Sequence, residues 1–330
     1  MFGTEKRTEI RVMSGMRPTG RLHIGHLVGA LSQWVELSRT SVTFFEVADL
    51  HALTTGFTET AEIRTNTLEM VRDWLAADVD PSRATIYVQS RVPEISELYV
   101  LLAMITPVSW LQRVPTYKEQ IEQLGGEIAT YGFLGYPLLQ TVDVAIMRAN
   151  RVPVGRDQLA HLELGREIVR RFNHLYGETL VEAEATLSEF PAVPGTDGRK
   201  MSKSYGNTID LADDDQTTTK KIRAMLTDPQ KVRKNDPGRP EICPVFALHK
   251  LGNEPRLPWI EENCRSGALG CVQCKGELAE NLNGSLAPIR ERRARIRDGD
   301  VEQILDEGSK KARSVAAQTL RAVKYAMKVS

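Results

Sequence analysis

Two separated segments of this chain carry side chains that suit chemistry on phosphate groups. His23 and His26 lie three residues apart in the first segment, and Lys200 and Lys203 lie three residues apart in the second. Imidazole N–H groups and lysine ammonium groups both donate hydrogen bonds to phosphate oxygens. The residue types and their spacing therefore predict that each segment contacts phosphate.

The residues around the two histidines predict a strand that turns sharply into a helix. An apolar-alternating run from Glu9 to Met13 predicts the strand, and apolar residues between Leu27 and Val35 recur at helical spacing. Glycines that permit a bend and a close backbone approach lie between these elements, at Gly15, Gly20 and Gly25. The start of the helix then offers unpaired N–H groups to an anion.

The lysine segment has the composition of a loop. Pro194-Gly195 precedes it and Gly206-Asn207 follows it, and such pairs favour turns. A loop of this kind can move toward a bound substrate. We therefore expect a mobile, positively charged loop to close on the phosphates held by the first segment.

Composition limits the possible classes of protein. The chain has 330 residues and a formal net charge of zero, so any contact with nucleic acid depends on local patches of charge. The segment from Met1 to Thr8 is polar and charged, and no apolar run is long enough to span a membrane. We expect a cytoplasmic protein with no membrane segment.

Strand and helix patterns alternate in the first two thirds of the chain. Val42–Ala48 and Ala84–Gln89 have strand composition, and helical patterns separate them. This alternation predicts an α/β fold with a doubly wound, Rossmann-like parallel sheet. Strand signals nearly vanish after Asn207. We therefore predict a catalytic domain over residues 1–207 and an all-helical domain over residues 208–330.

The two motifs together resemble those of the class I aminoacyl-tRNA synthetases. His23-Ile24-Gly25-His26 is similar to the family's HIGH motif, and Lys200-Met201-Ser202-Lys203-Ser204 is similar to its KMSKS motif. The resemblance implies that His23, His26, Lys200 and Lys203 are catalytic. It also implies ATP, with Mg²⁺ carried on its phosphates, as a substrate bound by Arg17, Pro18, Thr19, Gly25, His26, Lys118, Gly155, Arg156, Asp157, Lys200, Met201, Ser202, Lys203 and Ser204.

A helical pattern between the motifs indicates an amino-acid site. Tyr136, Gln140 and Asp143 share one helical face, which can hold an ammonium group at one end and a side-chain donor at the other. The alternative is an amphipathic core helix in which Asp143 is an ordinary buried polar residue. The resemblance to class I synthetases favours the amino-acid site, and it adds His51 and Gln158 to the predicted contacts.

Hydrogen-bonding capacity separates the two most similar specificities, for tryptophan and for tyrosine. An indole N–H only donates, whereas a phenol hydroxyl donates and accepts. Tyrosine-specific relatives usually have a tyrosine where this chain has Met13, so the second donor is missing. The segment 152–173 also resembles tryptophanyl-tRNA synthetases. We predict activation of L-tryptophan, transfer to tRNA(Trp) and a homodimer, with a tyrosyl-tRNA synthetase as the alternative.

Some residues depart from the tryptophan-specific pattern. Arg156 replaces an acidic residue of many members, Arg17 replaces a glutamine, and the two histidines replace the threonine and asparagine of many bacterial members. A more distant alternative is a non-synthetase nucleotidyltransferase with an HxGH motif. Such an enzyme explains residues 15–26 but not the KMSKS motif together with the segment 136–173.

All four cysteines lie close together in the sequence, with the spacing C-x20-C-x6-C-x2-C, at Cys243, Cys264, Cys271 and Cys274. A reducing compartment disfavours disulfides, so four thiolates indicate Zn²⁺ or an iron-sulfur cluster. A subgroup of tryptophanyl-tRNA synthetases has a similar cysteine pattern that binds a [4Fe-4S] cluster. We predict this cluster in a structural role, with Zn²⁺ as the alternative.

Overall fold

The computed structural model describes residues 9–115, 117, 121–122, 126–187 and 193–329. Five parallel strands form its sheet, in the spatial order β3-β2-β1-β4-β5. Their bounds are β1 Arg11–Met16, β2 Val42–Val47, β3 Ala84–Val88, β4 Arg151–Val154 and β5 Glu184–Leu187. The doubly wound α/β class predicted from the alternating pattern is confirmed.

Helices connect the strands and cover both faces of the sheet. In chain order they are α1 Ile24–His26, α2 Ser32–Thr40, α3 Asp49–Gly56, α4 Ile63–Ala76, α5 Pro93–Ala103, α6 Val108–Gln112, α7 Tyr131–Leu134, α8 Tyr136–Ile146, α9 Leu159–Tyr176, α10 Asp215–Ala224, α11 Pro244–His249, α12 Leu257–Arg265, α13 Cys271–Arg295 and α14 Asp298–Met327. A π-helical turn, Leu27–Leu31, joins α1 to α2.

Strand β2 contributes side chains to the hydrophobic cores on both faces of the sheet. Five of its six residues are buried, because helices cover it on both sides. Phe44 belongs to the hydrophobic core on one face, and Phe45 belongs to the core on the other face. The side chains of adjacent strand residues point to opposite faces, so one strand contributes to both cores.

The last helix returns to the sheet. Helix α14 packs against β3, where an added Cβ at Gly308 would lie 1.7 Å from the carbonyl oxygen of Ile86. Only glycine permits so close a contact. Leu305 joins the core that contains Phe45, and Ala316 joins the core that contains Phe44.

The region after residue 207 is helical, as the sequence indicated. In the described part of the chain, no named strand follows β5. No described helix combines the length and the apolar character that a membrane span requires. The division at residue 208 stays a prediction, since α14 belongs to this region and also packs on the sheet.

Candidate active site

One cavity opens at the carboxyl ends of the strands. Its volume is about 580 Å³, and it includes Arg17 after β1, Ala48 after β2 and Gly155 after β4. The strand order reverses between β1 and β4, and ligands of doubly wound sheets bind at such a switch point. A cavity of this size accommodates a nucleotide fragment or an amino acid.

The two histidines cap the helix that follows β1. His23 Nδ1 accepts a hydrogen bond from the Gly25 N–H at 3.1 Å, and His26 Nδ1 accepts one from the His23 N–H at 3.2 Å. Burial and the charge of Lys203 together lower the pKa of His23 to about 4. Burial and the charges of His23 and Lys203 together lower the pKa of His26 to about 3. Both rings are therefore neutral at pH 7 and carry their proton on Nε2. Each ring can donate one hydrogen bond to an anion.

Gly25 permits this arrangement. A Cβ at Gly25 would lie 2.9 Å from the Nδ1 and Cε1 atoms of His23, so a larger residue would displace the ring. The chain then passes through the π-helical turn Leu27–Leu31. Such turns are rare within α-helices and occur frequently at functional sites. The glycine is thus required for the packing of the His23 imidazole.

Lys203 brings the second motif to the first. Its Nζ donates to the carbonyl oxygen of Gly20 at 2.8 Å. Burial lowers the pKa of Lys203 to about 8, while Asp210 and Asp73 act in the opposite direction. The ammonium group is therefore still mostly charged at pH 7, next to the His23 side chain.

The remaining KMSKS residues anchor the loop or face outward. Met201 is buried, and its N–H donates to the carbonyl oxygen of Val193 at 2.9 Å. The Ser202 N–H donates to Oδ1 of Asn207 at 2.8 Å. Lys200 and Ser204 are exposed. Of the two predicted lysines, only Lys203 lies beside the histidines in this conformation.

Asp143 forms the polar centre of the other half of the cavity. Gln89 Nε2 donates to both of its carboxylate oxygens at 2.9 and 3.0 Å, and His51 Nε2 contacts Oδ2 at 2.9 Å. Gln89 Oε1 accepts from the backbone N–H groups of Leu50 and His51, which fixes the orientation of the amide. Asp143 is thus a buried acceptor held by two side chains.

A second carboxyl group lies beside Asp143. Glu46 lines the same cavity with only 1% of its surface exposed, and it accepts a hydrogen bond from the Tyr87 hydroxyl at 2.7 Å. Sequence reasoning missed Glu46, Tyr87 and Gln89. Single polar residues in apolar strand patterns gave no signal, because only the sheet register aligns Gly15, Glu46 and Tyr87.

Three further residues form a connected polar group. The Tyr136 hydroxyl lies 2.7 Å from His161 Nε2, and His161 Nδ1 lies 2.9 Å from Gln158 Oε1. His161 is buried and was not among the predicted site residues. Its ring links helix α8 to α9, which holds Tyr136 and Gln158 against the same cavity.

The structure brings most predicted site residues together. The cavity is lined by Arg17, His26, His51, Tyr136, Gln140, Asp143, Gly155 and Gln158. Pro18 is buried, whereas Thr19 and Arg156 are exposed next to lining residues. Lys118 and the side chain of Asp157 lie outside the described residues.

The four cysteines also converge. They line one small cavity between α11, α12 and α13, and its apolar walls are Val245, Phe246, Ile260 and Leu269. Burial raises the pKa of Cys274 to about 12, and the charges of the other three thiols act in the same direction. Among the described residues, however, no group of His, Cys, Asp or Glu side chains is arranged to hold a metal ion.

The two motifs meet at the switch point of a doubly wound parallel sheet. This combination is typical of the class I aminoacyl-tRNA synthetases. The chain belongs, within that class, to the family described as tRNA synthetases class I (W and Y), which it matches over residues 5–287. This family match covers the whole described sheet and most of the long helix α13, Cys271–Arg295.

Relatives with known names are similar over nearly the whole chain. A tryptophan–tRNA ligase of Thermotoga maritima is 49% identical over 324 residues, with 96% of this chain and 99% of the relative covered. One from Aquifex aeolicus is 43% identical over 392 residues, with 96% and 99% covered. The crystal structure of tryptophanyl-tRNA synthetase from Campylobacter jejuni complexed with ADP and tryptophan has a TM-score of 0.88 at 32% identity, covering 97% of this chain and 100% of that chain.

Proposed function

We propose that this chain is a tryptophan–tRNA ligase, which activates L-tryptophan with ATP and transfers it to tRNA(Trp). The observation that carries the proposal is the buried Asp143 carboxylate, toward which Gln89 and His51 are directed. A carboxylate that lines the cavity is an acceptor suited to an indole N–H, which can only donate. The named relatives support the same specificity. ATP–pyrophosphate exchange measured with each of the twenty amino acids tests it.

In the first step the tryptophan carboxylate attacks the α-phosphorus of ATP, and pyrophosphate leaves. No covalent bond to the enzyme forms, so catalysis depends on positioning and on stabilising phosphate charge. The neutral His23 and His26 rings donate through Nε2–H, and the Lys203 ammonium approaches the departing pyrophosphate. Mg²⁺ enters on the phosphate oxygens of ATP, where it neutralises part of their charge.

The activated tryptophan then passes to the ribose of the terminal adenosine of the tRNA. We assign ATP and tryptophan binding to residues 1–207 and contact with the anticodon region to the helical residues 208–330. The all-helical character of the second region is consistent with this division. Helix α14 couples the two regions, because it packs on both β3 and α5.

Asp143→Asn tests the amino-acid half of the site. The variant should raise the tryptophan concentration needed for half-maximal exchange much more than the ATP concentration, because an amide oxygen accepts more weakly than a carboxylate. A hydrogen bond to a charged group contributes about 1.5–3 kcal/mol, or roughly a tenfold to hundredfold change in KM. Steady-state exchange with each substrate varied in turn measures both constants.

The matched control is Asp80→Asn, which makes the same change at a loop residue next to β3. It should leave both constants within error of the original enzyme. If Asp143→Asn changed only the ATP concentration needed for half-maximal exchange, the Asp143 carboxylate would contact the nucleotide rather than the indole.

We also propose a homodimer, on the basis of an exposed apolar surface formed by α5 and α6. Val100, Met104 and Val108 are 51%, 74% and 57% exposed. Val100 lies on α5, Met104 directly follows it, and Val108 begins α6. Exposed apolar patches mark protein interfaces. A second copy of the chain is the partner that this proposal requires.

The convergence of the four cysteines on one small cavity supports the proposal of a shared iron-sulfur site. Each thiolate of a [4Fe-4S] cluster binds a different iron, so its cysteines stand farther apart than the ligands of one zinc ion. Cys274 Sγ also lies 3.5 Å from His249 Nε2, a donor suited to a bound thiolate. We propose that Cys243, Cys264, Cys271 and Cys274 hold this cluster. A bound cluster would cross-link α11, α12 and α13.

Purified under anaerobic conditions, the protein should be brown and contain about four iron atoms per chain, because Fe–S clusters absorb visible light and d¹⁰ zinc does not. Cys271→Ser should lose the colour and lower the thermal stability of the helical region. Tryptophan activation should survive this change better than tRNA charging does. A colourless protein with stoichiometric zinc would contradict the cluster and leave the ligase function intact.

A further inference from the structure

The buried carboxyl pair in the amino-acid pocket has a chemical role beyond that of Asp143 alone, if the proposed function holds. Glu46 and Asp143 reach the pocket from strand β2 and helix α8, and both line the same cavity. They are 1% and 2% exposed. Two neighbouring carboxyl groups can form a hydrogen bond with each other only when one of them keeps its proton.

No strong cation compensates for a second negative charge at this place. Among the described residues, neither Glu46 nor Asp143 forms an ion pair with a lysine or an arginine, and the sole ion-pair partner of either is His51. Two adjacent ionised carboxylates in a buried site repel each other strongly. The pair is therefore expected to carry one charge.

The donors around the pair decide which carboxyl group is charged. Asp143 receives hydrogen bonds from the Gln89 amide and contacts His51, whereas Glu46 receives one bond, from Tyr87. Hydrogen bonds to a carboxylate favour its charged form. More hydrogen-bond donors thus surround Asp143 than Glu46, which makes Glu46 the candidate to keep a proton.

We propose that Glu46 is a positioning residue for tryptophan selection, which as a neutral acid donates a hydrogen bond to Asp143 and accepts one from Tyr87. This arrangement orients the Asp143 carboxylate and leaves it as the single charged acceptor for the indole N–H. The donors of Gln89 and Tyr87 are directed at the two carboxyl groups, so neither is directed at the place of a phenol oxygen. Glu46 would thus strengthen discrimination against tyrosine.

The electrostatic surroundings agree with this assignment. Burial raises the pKa of Glu46 well above its ordinary value, and the charges of Asp143 and Asp49 raise it further, while the Tyr87 hydrogen bond acts in the opposite direction. The titratable groups that act on Glu46 are Tyr87 on β3, Asp49 on α3 and Asp143 on α8, and His51 on α3 contacts Asp143. Strand β1 contributes Met13 and Gly15, which do not titrate.

The first test does not depend on which amino acid is activated. An acid whose pKa is higher in the folded state loses stability as the pH rises from its unfolded-state pKa toward its folded-state pKa. Glu46→Gln removes this loss. The melting temperature of this variant minus that of the original protein should therefore increase by about 2 °C for each pH unit between pH 5 and pH 7. The difference should be flat for Glu36→Gln, which alters an exposed carboxylate.

Infrared spectroscopy detects the same proton directly. The original protein should show a C=O stretch of a protonated carboxyl group at neutral pH, and the difference spectrum against Glu46→Gln should contain it. A flat stability difference, together with a missing band, would mean that Glu46 is ionised and would overturn the inference.

The second test measures tryptophan selection. Glu46→Leu removes both hydrogen bonds, and it should raise the KM for tryptophan by about tenfold or more while the KM for ATP changes little. Glu46→Gln keeps a donor and an acceptor, so it should restore most of this loss. Equal KM values for tryptophan in the Leu variant and the original enzyme would refute the positioning role. Failure of the ligase assignment would instead appear as activity with another amino acid in the original enzyme.

Discussion

Lys203→Ala is expected to lower the rate of tryptophan-dependent pyrophosphate exchange by about a hundredfold or more, which is the usual effect of removing one preorganised transition-state donor. The affinity for tryptophan should change little. Lys203 Nζ lies 2.8 Å from the carbonyl oxygen of Gly20, at the turn that precedes the two histidines. Its charge is therefore next to the place where the phosphates must lie, and it acts on the pyrophosphate as this group departs.

Exchange kinetics with varied ATP and tryptophan separate these effects. Lys203→Arg keeps the charge and should retain more activity than the alanine variant, and Lys310→Ala on the exposed side of α14 serves as the control. Because the pKa of Lys203 is about 8 in the folded protein, kcat/KM for ATP should fall as the pH rises through 8. A defect confined to tryptophan affinity would contradict a role at pyrophosphate.

The fold was largely predictable because its strands alternate with helices. Val42–Val47 and Ala84–Val88 match the predicted strands closely, since buried parallel strands form short, apolar, β-branched runs. The order of the strands was not predictable in the same way. The switch between β1 and β4 depends on how the long segment from β3 to β4 packs, and no local pattern encodes that packing.

The roles of the two lysines in the second motif were also only partly predictable from the sequence. Lys200 and Lys203 have the same residue type and were assigned the same role from the sequence. In the structure, Met201 is buried and fixes the loop, so that Lys203 approaches Gly20 while Lys200 is exposed. The spacing of residues in a loop does not show which side chain faces the first motif, so only the folded structure distinguishes the two lysines.

The polar core of the amino-acid pocket was the least predictable feature. Asp143 belongs to a helical pattern with a recognisable face, whereas Glu46 interrupts an apolar strand and has the sequence signature of an exposed residue. Gln89 follows β3 at a position with no pattern at all. These residues meet Asp143 through long-range contacts between separate elements, and sequence spacing does not record such contacts.

The cysteines illustrate the opposite case. Cys271 and Cys274 lie in one helical turn, so their proximity follows from spacing alone. Cys243 and Cys264 join them because α11 packs against both α12 and α13, and all four cysteines line the same cavity. The confinement of all four to one part of the sequence was nevertheless a sufficient signal for a shared site.

Selection of the amino acid depends on which hydrogen bonds the pocket can supply. Met13 is buried in the wall of the cavity, where its thioether offers no hydroxyl donor. The nearby donors of Gln89 and Tyr87 are already directed at Asp143 and Glu46. An indole N–H needs one acceptor, which Asp143 provides. A phenol oxygen would need a donor as well.

L-Tyrosine should therefore support pyrophosphate exchange at least about a hundredfold more weakly than L-tryptophan, because a buried polar group that loses its partner costs this much discrimination. The measurement is kcat/KM for each of the twenty amino acids under identical ATP and Mg²⁺. L-Phenylalanine is the informative control, since it has neither N–H nor O–H on its ring. It should also be a poor substrate, because it leaves Asp143 without its partner. Comparable rates with tryptophan and tyrosine would refute the assigned specificity, even if the class I chemistry were confirmed.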